Sequence, residues 1–392
     1  VVMTSFSAAA GIGAEAGIIS QRIPQWTAMI QLNQRAWTAR APFALIIALA
    51  IGIGCPSLFA ATIDDLYSVT VSRSLELAPG QAPRTLEDTI RFAMGQLLTR
   101  VTGRLDAALE PDLANLLDNA SDFVVQRGQL DRDTLLVTFD ARAIEAALVA
   151  RDQPIWGPER PLTLVWLAID NGQGERGILS AGDVFTDASP EFLQLQADFR
   201  AELATAEEER GLPLTLPLMD LEDMAAVDFV DIWAGFNAQV TQASSRYGVD
   251  AALTGRVRQT QFGVNVRWVL LKDGEEFALT GTTLRDGLDR LADFYAAEFS
   301  TLGGVRAILI TVVGVETLDD YGRVMRHLGS VSLLDSVSPE ELVDGALSLR
   351  VAARGGAAVL ERVLGLSTVL TPIAEQTGQT ANEDRLTFTL NR

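Results

Sequence analysis

The chain has 392 residues, of which 48% are hydrophobic and 21% are charged, a balance typical of folded globular proteins rather than disordered segments. Its formal net charge is −20, and Lys272 is its only lysine, so almost all of its positive charge is arginine. A surface this acidic repels phosphate backbones and anionic head groups. The charge therefore argues against nucleic-acid binding and against adsorption to a lipid surface. The length predicts about two to three domains.

Residues 1–61 have the pattern of a signal peptide preceded by an extension. Arg35 and Arg40 form a positive segment, residues 41–54 are an apolar run, and small residues follow at 60–61. This order of charge, apolar run and small residues is typical of a secretory signal. We expect cleavage near residues 60–61 and a periplasmic location for the mature protein.

Two alternatives concern the same segment. Residues 41–63 carry no charge and are long enough to span a bilayer, so residues 41–61 are an alternative inner-membrane anchor. Lipidation of Cys55 is the second alternative, although no leucine stands three positions before it. Cys55 is the only cysteine, so cleavage at residue 61 leaves a chain without disulfides, thiol catalysis or cysteine–metal sites.

The rest of the chain predicts an α/β (α+β) fold of three small mixed domains in series, over residues 62–153, 154–302 and 303–392. A cluster of proline and glycine between residues 154 and 161 marks the first boundary, and a glycine pair at 303–304 marks the second.

Apolar spacing predicts three strands and three helices in the first domain, with Thr85 as a helix cap. The predicted strands cover residues 66–73, 123–127 and 134–139, and the predicted helices cover residues 85–101, 112–120 and 141–150.

The central domain begins with an apolar run at 162–169, typical of a strand buried on both faces. The helix that begins at Ser189 ends near three consecutive glutamates at 207–209, where acids oppose the helix macrodipole. One helix is predicted over 228–247, with these residues facing inward: Phe229, Ile232, Trp233, Phe236 and Val240. Strands are predicted at 214–218, 251–257, 263–271 and 276–282, and a closing helix at 288–299.

The third domain has the order β-α-β-β-α-β, which is the ferredoxin-like pattern. Its predicted strands cover residues 307–313, 331–337, 345–353 and 386–390, and its predicted helices cover 318–328 and 356–364.

Four segments carry a resemblance to a known family. They lie at 155–168, 210–223, 233–236 and 245–250, and the second reads Arg-Gly-Leu-Pro-Leu-Thr-Leu-Pro-Leu-Met-Asp-Leu-Glu-Asp. The chain resembles the proteobacterial domain-of-unknown-function family two thousand and sixty-six. The resemblance implies no activity, because that family has none established. The central unit is also similar to the N-terminal α/β domain of the periplasmic Tol propeller protein, which is an analogy of fold alone.

An acidic cluster follows the most specific of these segments. It comprises Asp220, Glu222, Asp223, Asp228 and Asp231. Carboxylates at this density bind hard cations in other proteins, so a metal-dependent periplasmic hydrolase using residues 220–231 is the alternative function. The cluster lacks the alternating oxygen ligands and the central glycine of a calcium loop. We therefore predict that Asp220, Glu222, Asp223 and Trp233 form a helix cap or a partner contact, with Asp223 as the cap.

Three other features point away from catalysis. Residues 172–177 match the dinucleotide fingerprint, but no helix opens at its end, so a glycine-rich hairpin is the favoured interpretation. His327 is the only histidine and is predicted at the surface end of a helix. No Gly-x-Ser-x-Gly motif occurs. Core packing is predicted for four tryptophans, namely Trp156, Trp166, Trp233 and Trp268.

These observations predict an exported periplasmic protein that acts by binding, as a non-catalytic accessory factor in cell-envelope assembly. We expect envelope proteins as partners, no cofactor, no nucleic acid, and membrane contact only through an uncleaved N-terminal segment.

Overall fold

The computed structural model describes residues 61–63, 65–73, 84–182, 188–373 and 384–391. Residues 1–60, with the predicted signal segment and Cys55, lie outside this description. The described residues fall in one compact unit. In the part of the chain that the structure describes, no helix is both long enough and apolar enough to cross a membrane.

The N-terminal segment is built around a three-stranded antiparallel sheet in the order β2-β4-β3. Its elements are β1 (Ala61–Thr62), β2 (Ser68–Ser72), α1 (Leu86–Thr102), α2 (Ala114–Asp118), β3 (Val124–Gln129), β4 (Thr134–Phe139) and α3 (Ala141–Val149). Thr85 caps α1 as predicted, since its side chain accepts a hydrogen bond from Asp88 N. The helix predicted over 112–120 is shorter, because single turns of 3-10 helix flank α2.

The central segment contains a six-stranded sheet in which β11-β10-β9-β6-β7 are neighbours and β8 pairs with β6. The six strands of this sheet are β6 (Thr163–Asp170), β7 (Arg176–Ile178), β8 (Leu214–Thr215), β9 (Ala251–Thr260), β10 (Gly263–Lys272) and β11 (Glu275–Leu279). The short strand β5 (Glu159–Arg160) pairs instead with β1 in a separate two-stranded sheet. Its helices are α4 (Pro190–Arg210), α5 (Leu221–Ala226), α6 (Phe229–Ala234), α7 (Asn237–Ser244) and α8 (Leu284–Phe299). All eight residues of β6 are buried, as its apolar run predicts.

Two predictions for the central segment are wrong. The single helix over 228–247 is two helices, because Gly235 adopts φ 84 and ends α6 in the left-handed region. Phe236, predicted inward, lies at this break and is 50% exposed. The strand over 214–218 is only β8, since Pro217 has no N–H to donate to a sheet.

The C-terminal segment forms a five-stranded sheet in the order β13-β14-β12-β16-β15. Its elements are β12 (Val305–Val313), α9 (Leu318–Ser330), β13 (Leu334–Val343), β14 (Ala346–Arg354), α10 (Ala357–Gly365), β15 (Leu370–Pro372) and β16 (Arg385–Leu390). Strands β12 and β16 are parallel and the other neighbours are antiparallel. The predicted elements β-α-β-β-α-β are present, with β15 added as an edge strand between α10 and the last strand. Because of this extra strand, β16 runs parallel to β12, whereas the sheet of a ferredoxin-like fold is antiparallel throughout. Each of the three predicted domains thus contains one sheet of three or more strands, and the domain boundaries stay a prediction.

The central sheet is covered on both faces. Val165, Leu167 and Ile169 of β6 belong to a core that includes α4, α8 and the C-terminal sheet. Leu164 and Trp166 face the opposite way, into a smaller core under α6 and α7. This alternation follows from the two-residue period of a strand.

A fully buried arginine joins the N-terminal and central segments. Arg160 donates from Nε to Gly157 O at 2.9 Å. Its Nη1 donates to Arg210 O at 2.9 Å and Gly211 O at 2.8 Å, and its Nη2 donates to Arg100 O at 2.8 Å and Trp156 O at 3.0 Å. All of its N–H donors thereby meet carbonyls, including those at the ends of α1 and α4 where a cation suits the helix dipole.

Candidate functional site

A small pocket of about 270 Å³ lies on the α6 side of the central sheet, and it is lined by Trp233, Arg256, Arg258, Asn265 and Arg267. Strands β9 and β10 place Arg256 opposite Arg267 and Arg258 opposite Asn265. Because side chains alternate along a strand, all four side chains leave the same face of the sheet. We call this site the arginine pocket.

The opposite face of the same two strands is core. Val257 and Val266 alternate with the pocket residues and are 0% and 1% exposed. Burial of these valines fixes the register of the strands, because a slip by one residue would turn the arginines inward. The pocket therefore rests on a rigid part of the molecule.

Helix α6 supplies the aromatic wall of the arginine pocket. Trp233 stacks on Phe229 with ring centroids 5.1 Å apart, and the Arg258 guanidinium lies 5.2 Å from the Trp233 ring. Trp233 is half-buried, so the prediction of core packing is only partly right for this tryptophan. An aromatic ring beside guanidinium groups offers both stacking and cation–π contacts.

Gly235 sets the position of Arg256. A Cβ atom at Gly235 would lie 2.7 Å from Arg256 Nη2, so the missing side chain leaves room for the guanidinium at the end of α6. The same glycine that breaks the predicted helix therefore shapes the arginine pocket.

The charges of the pocket are unbalanced. Asp170 lies 3.1 Å from Arg176 and 4.0 Å from Arg258. Within the described ranges, neither Arg256 nor Arg267 forms an ion pair or a side-chain hydrogen bond with a protein group. Like charges directly opposite on paired strands destabilise a sheet. An anion placed between these two guanidinium groups would remove that repulsion and accept several hydrogen bonds.

The predicted acidic cluster has a different arrangement. Asp220, and not Asp223, caps α5, because its carboxylate accepts hydrogen bonds from Glu222 N and Asp223 N, both at 3.0 Å. Asp223 is fully buried and accepts from Met219 N at 2.8 Å and from the Tyr247 hydroxyl. The prediction that Asp223 caps the helix is therefore wrong.

Arg246 neutralises both aspartates, and we call this group the Arg246 clamp. Its guanidinium lies 2.8 Å from Asp220 and 2.7 Å from Asp223, while Glu222 is 3.7 Å away and exposed. The hydrogen bond from Arg246 holds the pKa of Asp220 well below its usual range. Burial, followed by the hydrogen bond to Asp223, raises the pKa of Tyr247 to about 12.

The remaining acids of the cluster also have structural partners. At the start of α6, the Asp231 carboxylate accepts a hydrogen bond from Asp228 N at 2.8 Å. Across the described ranges, no group of three or more histidine, cysteine, aspartate or glutamate side chains is arranged to hold a metal ion. A metal-dependent hydrolase stays an untested alternative function. In the structure, carboxylates of the acidic cluster contact Arg246 and backbone N–H groups.

The other predicted features lie apart from the arginine pocket. Trp156, Trp166 and Trp268 are at most 2% exposed and belong to the cores, as predicted. The glycine-rich segment at 172–177 connects β6 to β7 as an antiparallel hairpin, as favoured from the sequence. His327 is half-buried rather than at the surface, and burial lowers its pKa.

No known sequence motif includes the arginines of the pocket, although the spacing of these arginines is itself a signal. Arginine alternates with valine in Arg256-Val257-Arg258 and again in Val266-Arg267. A charged residue at every second position of an otherwise apolar strand indicates a polar face. Only the pairing of the strands brings the two short patterns together.

Residues 60–157 match a family model described as a domain of unknown function (DUF8605). The matched region covers the N-terminal segment, from β1 to α3, and ends before the arginine pocket. No curated protein and no solved structure matches the chain.

Proposed function

We propose that this chain is an exported, non-catalytic binding protein of the cell envelope, and that it recognises an acidic segment of a partner protein through the arginine pocket. One observation carries the binding part of the proposal. Arg256 and Arg267 face each other across paired strands, and no carboxylate among the described residues pairs with either.

The envelope part of the proposal rests on the sequence. The charge and apolar pattern of residues 1–61 supports export. The resemblance of residues 210–223 to proteobacterial family two thousand and sixty-six supports a bacterial source. The likeness of the central unit to the Tol propeller domain supports an accessory role. We expect cleavage near residues 60–61, with an anchor at 41–61 as the alternative.

A protein carboxylate suits the pocket better than a nucleic acid. The volume of about 270 Å³ admits one or two acidic groups but not a run of nucleotides. The net charge of −20 repels a long polyanion, whereas a short acidic segment meets only the local positive field. Guanidinium groups bind carboxylates in a forked, two-bond geometry.

An apolar contact is available next to the arginine pocket. Phe262 lies in the turn between β9 and β10 and is 91% exposed. The pair Arg258–Asn265 lies on the same hairpin, two residue pairs before the end of the strands. A partner segment that follows this hairpin would cover the phenylalanine and place its acids between the arginines.

Binding of the full-length chain to a fluorescent peptide rich in glutamate tests the proposal. We expect anisotropy to rise, and the affinity to fall with salt because the contact is ionic. Arg256→Gln and Arg267→Gln should each weaken binding about tenfold or more, as expected for loss of a charge-assisted hydrogen bond. Arg306→Gln, an exposed arginine on β12, is the matched control and should leave the affinity unchanged.

Inorganic phosphate and a short single-stranded DNA are added to the same assay as competitors of the fluorescent peptide. The proposal predicts competition by the unlabelled acidic peptide at concentrations where phosphate and DNA have little effect. Equal affinity in the wild type and in both pocket variants would contradict it, as would tighter binding of DNA than of the peptide.

A further inference from the structure

A second pocket, of about 410 Å³, lies where the N-terminal sheet meets the end of α4. The charged residues lining it are Asp65, Arg100, Glu207 and Glu208. Leu136 of β4 and Leu212, which follows α4, provide apolar parts of its wall. This volume is typical of sites for small molecules.

Arg100 lies in the wall of this pocket and is only 4% exposed. Its Nη1 donates to Leu66 O at 3.3 Å and Ser68 O at 2.8 Å. Among the described residues its Nε has no acceptor, and the side chain has no ion pair. A buried guanidinium without an ion pair is unfavourable, because its charge has lost water and is offset only by carbonyl dipoles and by the more distant charges of Glu208 and Glu209.

The glutamates in the lining are a second unfavourable feature. Glu207 and Glu208 belong to the last turn of α4, where their charges oppose the helix macrodipole. Their neighbour Glu209 pairs with Arg285 at 2.5 Å, whereas neither Glu207 nor Glu208 has an ion pair with a described residue. The pocket therefore holds a buried guanidinium without an ion pair in its wall and two carboxylates without an ion pair beside it, of which Glu207 accepts a long hydrogen bond from Leu214 N at 3.4 Å.

We propose that this pocket binds a small zwitterion, an amino acid or a dipeptide, with its carboxylate at Arg100 and its ammonium group at Glu207 and Glu208. Such a ligand supplies each unpaired charge with its opposite. Its ammonium group would also lie at the C-terminal end of α4, where a cation is favoured. The site is separate from the arginine pocket and does not depend on its function.

Calorimetric titration of the full-length chain with four compounds tests this inference. Dialanine and lysine carry both charges, succinate carries only carboxylates, and putrescine carries only amines. We expect dialanine or lysine to bind at least tenfold more tightly than succinate and putrescine. Binding of putrescine alone would overturn the proposal in favour of a cation site, and absence of binding by both zwitterions would also overturn it.

A double variant, Glu207→Gln with Glu208→Gln, removes the charges proposed to hold the ammonium group and keeps the hydrogen bonds of the buried arginine to Leu66 O and Ser68 O. Both side chains are exposed at a helix end, so we expect the fold to persist and the affinity for the zwitterion to fall at least tenfold. Glu191→Gln, at the other end of α4, is the matched control and should bind like the wild type. Unchanged affinity in the double variant would contradict the proposed orientation and with it the site.

Discussion

The Arg246 clamp and the arginine pocket lie on the same side of the central sheet, and they use arginine in opposite ways. Arg246 lies within 2.8 Å of two carboxylates, one of them fully buried. Arg256 and Arg267 face one another with no carboxylate partner among the described residues. Proximity of charged side chains therefore does not by itself mark a binding site. A charge that already has its partner holds the fold together, whereas a charge without one is available to a ligand.

The substitution with the greatest predicted loss of stability distinguishes a core tryptophan, Trp166, from the tryptophan of the arginine pocket, Trp233. Trp166 is 0% exposed and donates from Nε1 to Ser244 Oγ at 2.9 Å. Trp166→Ala should therefore lower the free energy of unfolding by about 3–5 kcal/mol. Trp233 is half-buried, so Trp233→Ala should lower it by less than about 2 kcal/mol while weakening peptide binding. Urea unfolding of both variants measures the difference, and equal losses would show that Trp233 is core as the sequence predicts.

Removing the buried acid of the clamp should have the next largest effect. Asp223→Ala leaves Arg246 and Met219 N without a buried acceptor, so we expect a loss of about 3 kcal/mol in the free energy of unfolding. Glu222→Ala is the control, because Glu222 is exposed and 3.7 Å from Arg246, and it should change stability by less than about 0.5 kcal/mol. A loss below 1 kcal/mol for Asp223→Ala would mean that the clamp contributes little.

A pH titration compares two aspartates in opposite surroundings. Burial raises the pKa of Asp250 to about 6, although Leu162 N donates to it. The folded protein therefore binds the proton of Asp250 more tightly than the unfolded chain does. The contribution of the protonated Asp250 carboxyl to the free energy of unfolding is complete below about pH 4 and is lost as the pH rises towards 6. The loss amounts to about 3 kcal/mol. Asp220 in the clamp has the opposite pH dependence. Its pKa is lowered in the folded protein, so its contribution to the free energy of unfolding is lost as the pH falls.

Asp250→Asn checks the Asp250 part of this prediction. The amide oxygen still accepts from Leu162 N and does not titrate, so unfolding of the variant measured from pH 4 to pH 7 should show a smaller fall in stability than the wild type. Parallel curves for the two proteins would contradict the assignment to Asp250.

The smallest expected effect lies in the arginine pocket itself. Arg256→Gln removes one of two facing like charges, so stability should stay within about 0.5 kcal/mol of the wild type or rise slightly. Chemical denaturation at low salt measures the change, and the peptide-binding assay on the same sample gives the contrast. A loss above 2 kcal/mol would assign Arg256 a structural role like that of Arg246.

Much of the fold could be predicted because local signals agreed with tertiary packing. In the C-terminal segment, strands and helices alternate with clear turns, and Thr317 with Asp320 forms the capping box that begins α9. In the central segment, the apolar spacing of 228–247 favoured one helix, and Gly235 broke it through a left-handed conformation that the apolar period does not reveal.

Composition and short-range periodicity were enough to predict the acidic charge, most of the strands and helices, the buried strand β6 and the β-α-β-β-α-β elements of the C-terminal segment, because each depends on a short stretch of chain. Only the tertiary structure decided which charges are paired. Asp220 and Arg246 are far apart in sequence but lie 2.8 Å apart, whereas Arg256 and Arg267 meet across two strands without an acid. Ion pairs depend on distances of a few ångströms between distant residues, and local patterns carry no information about those distances.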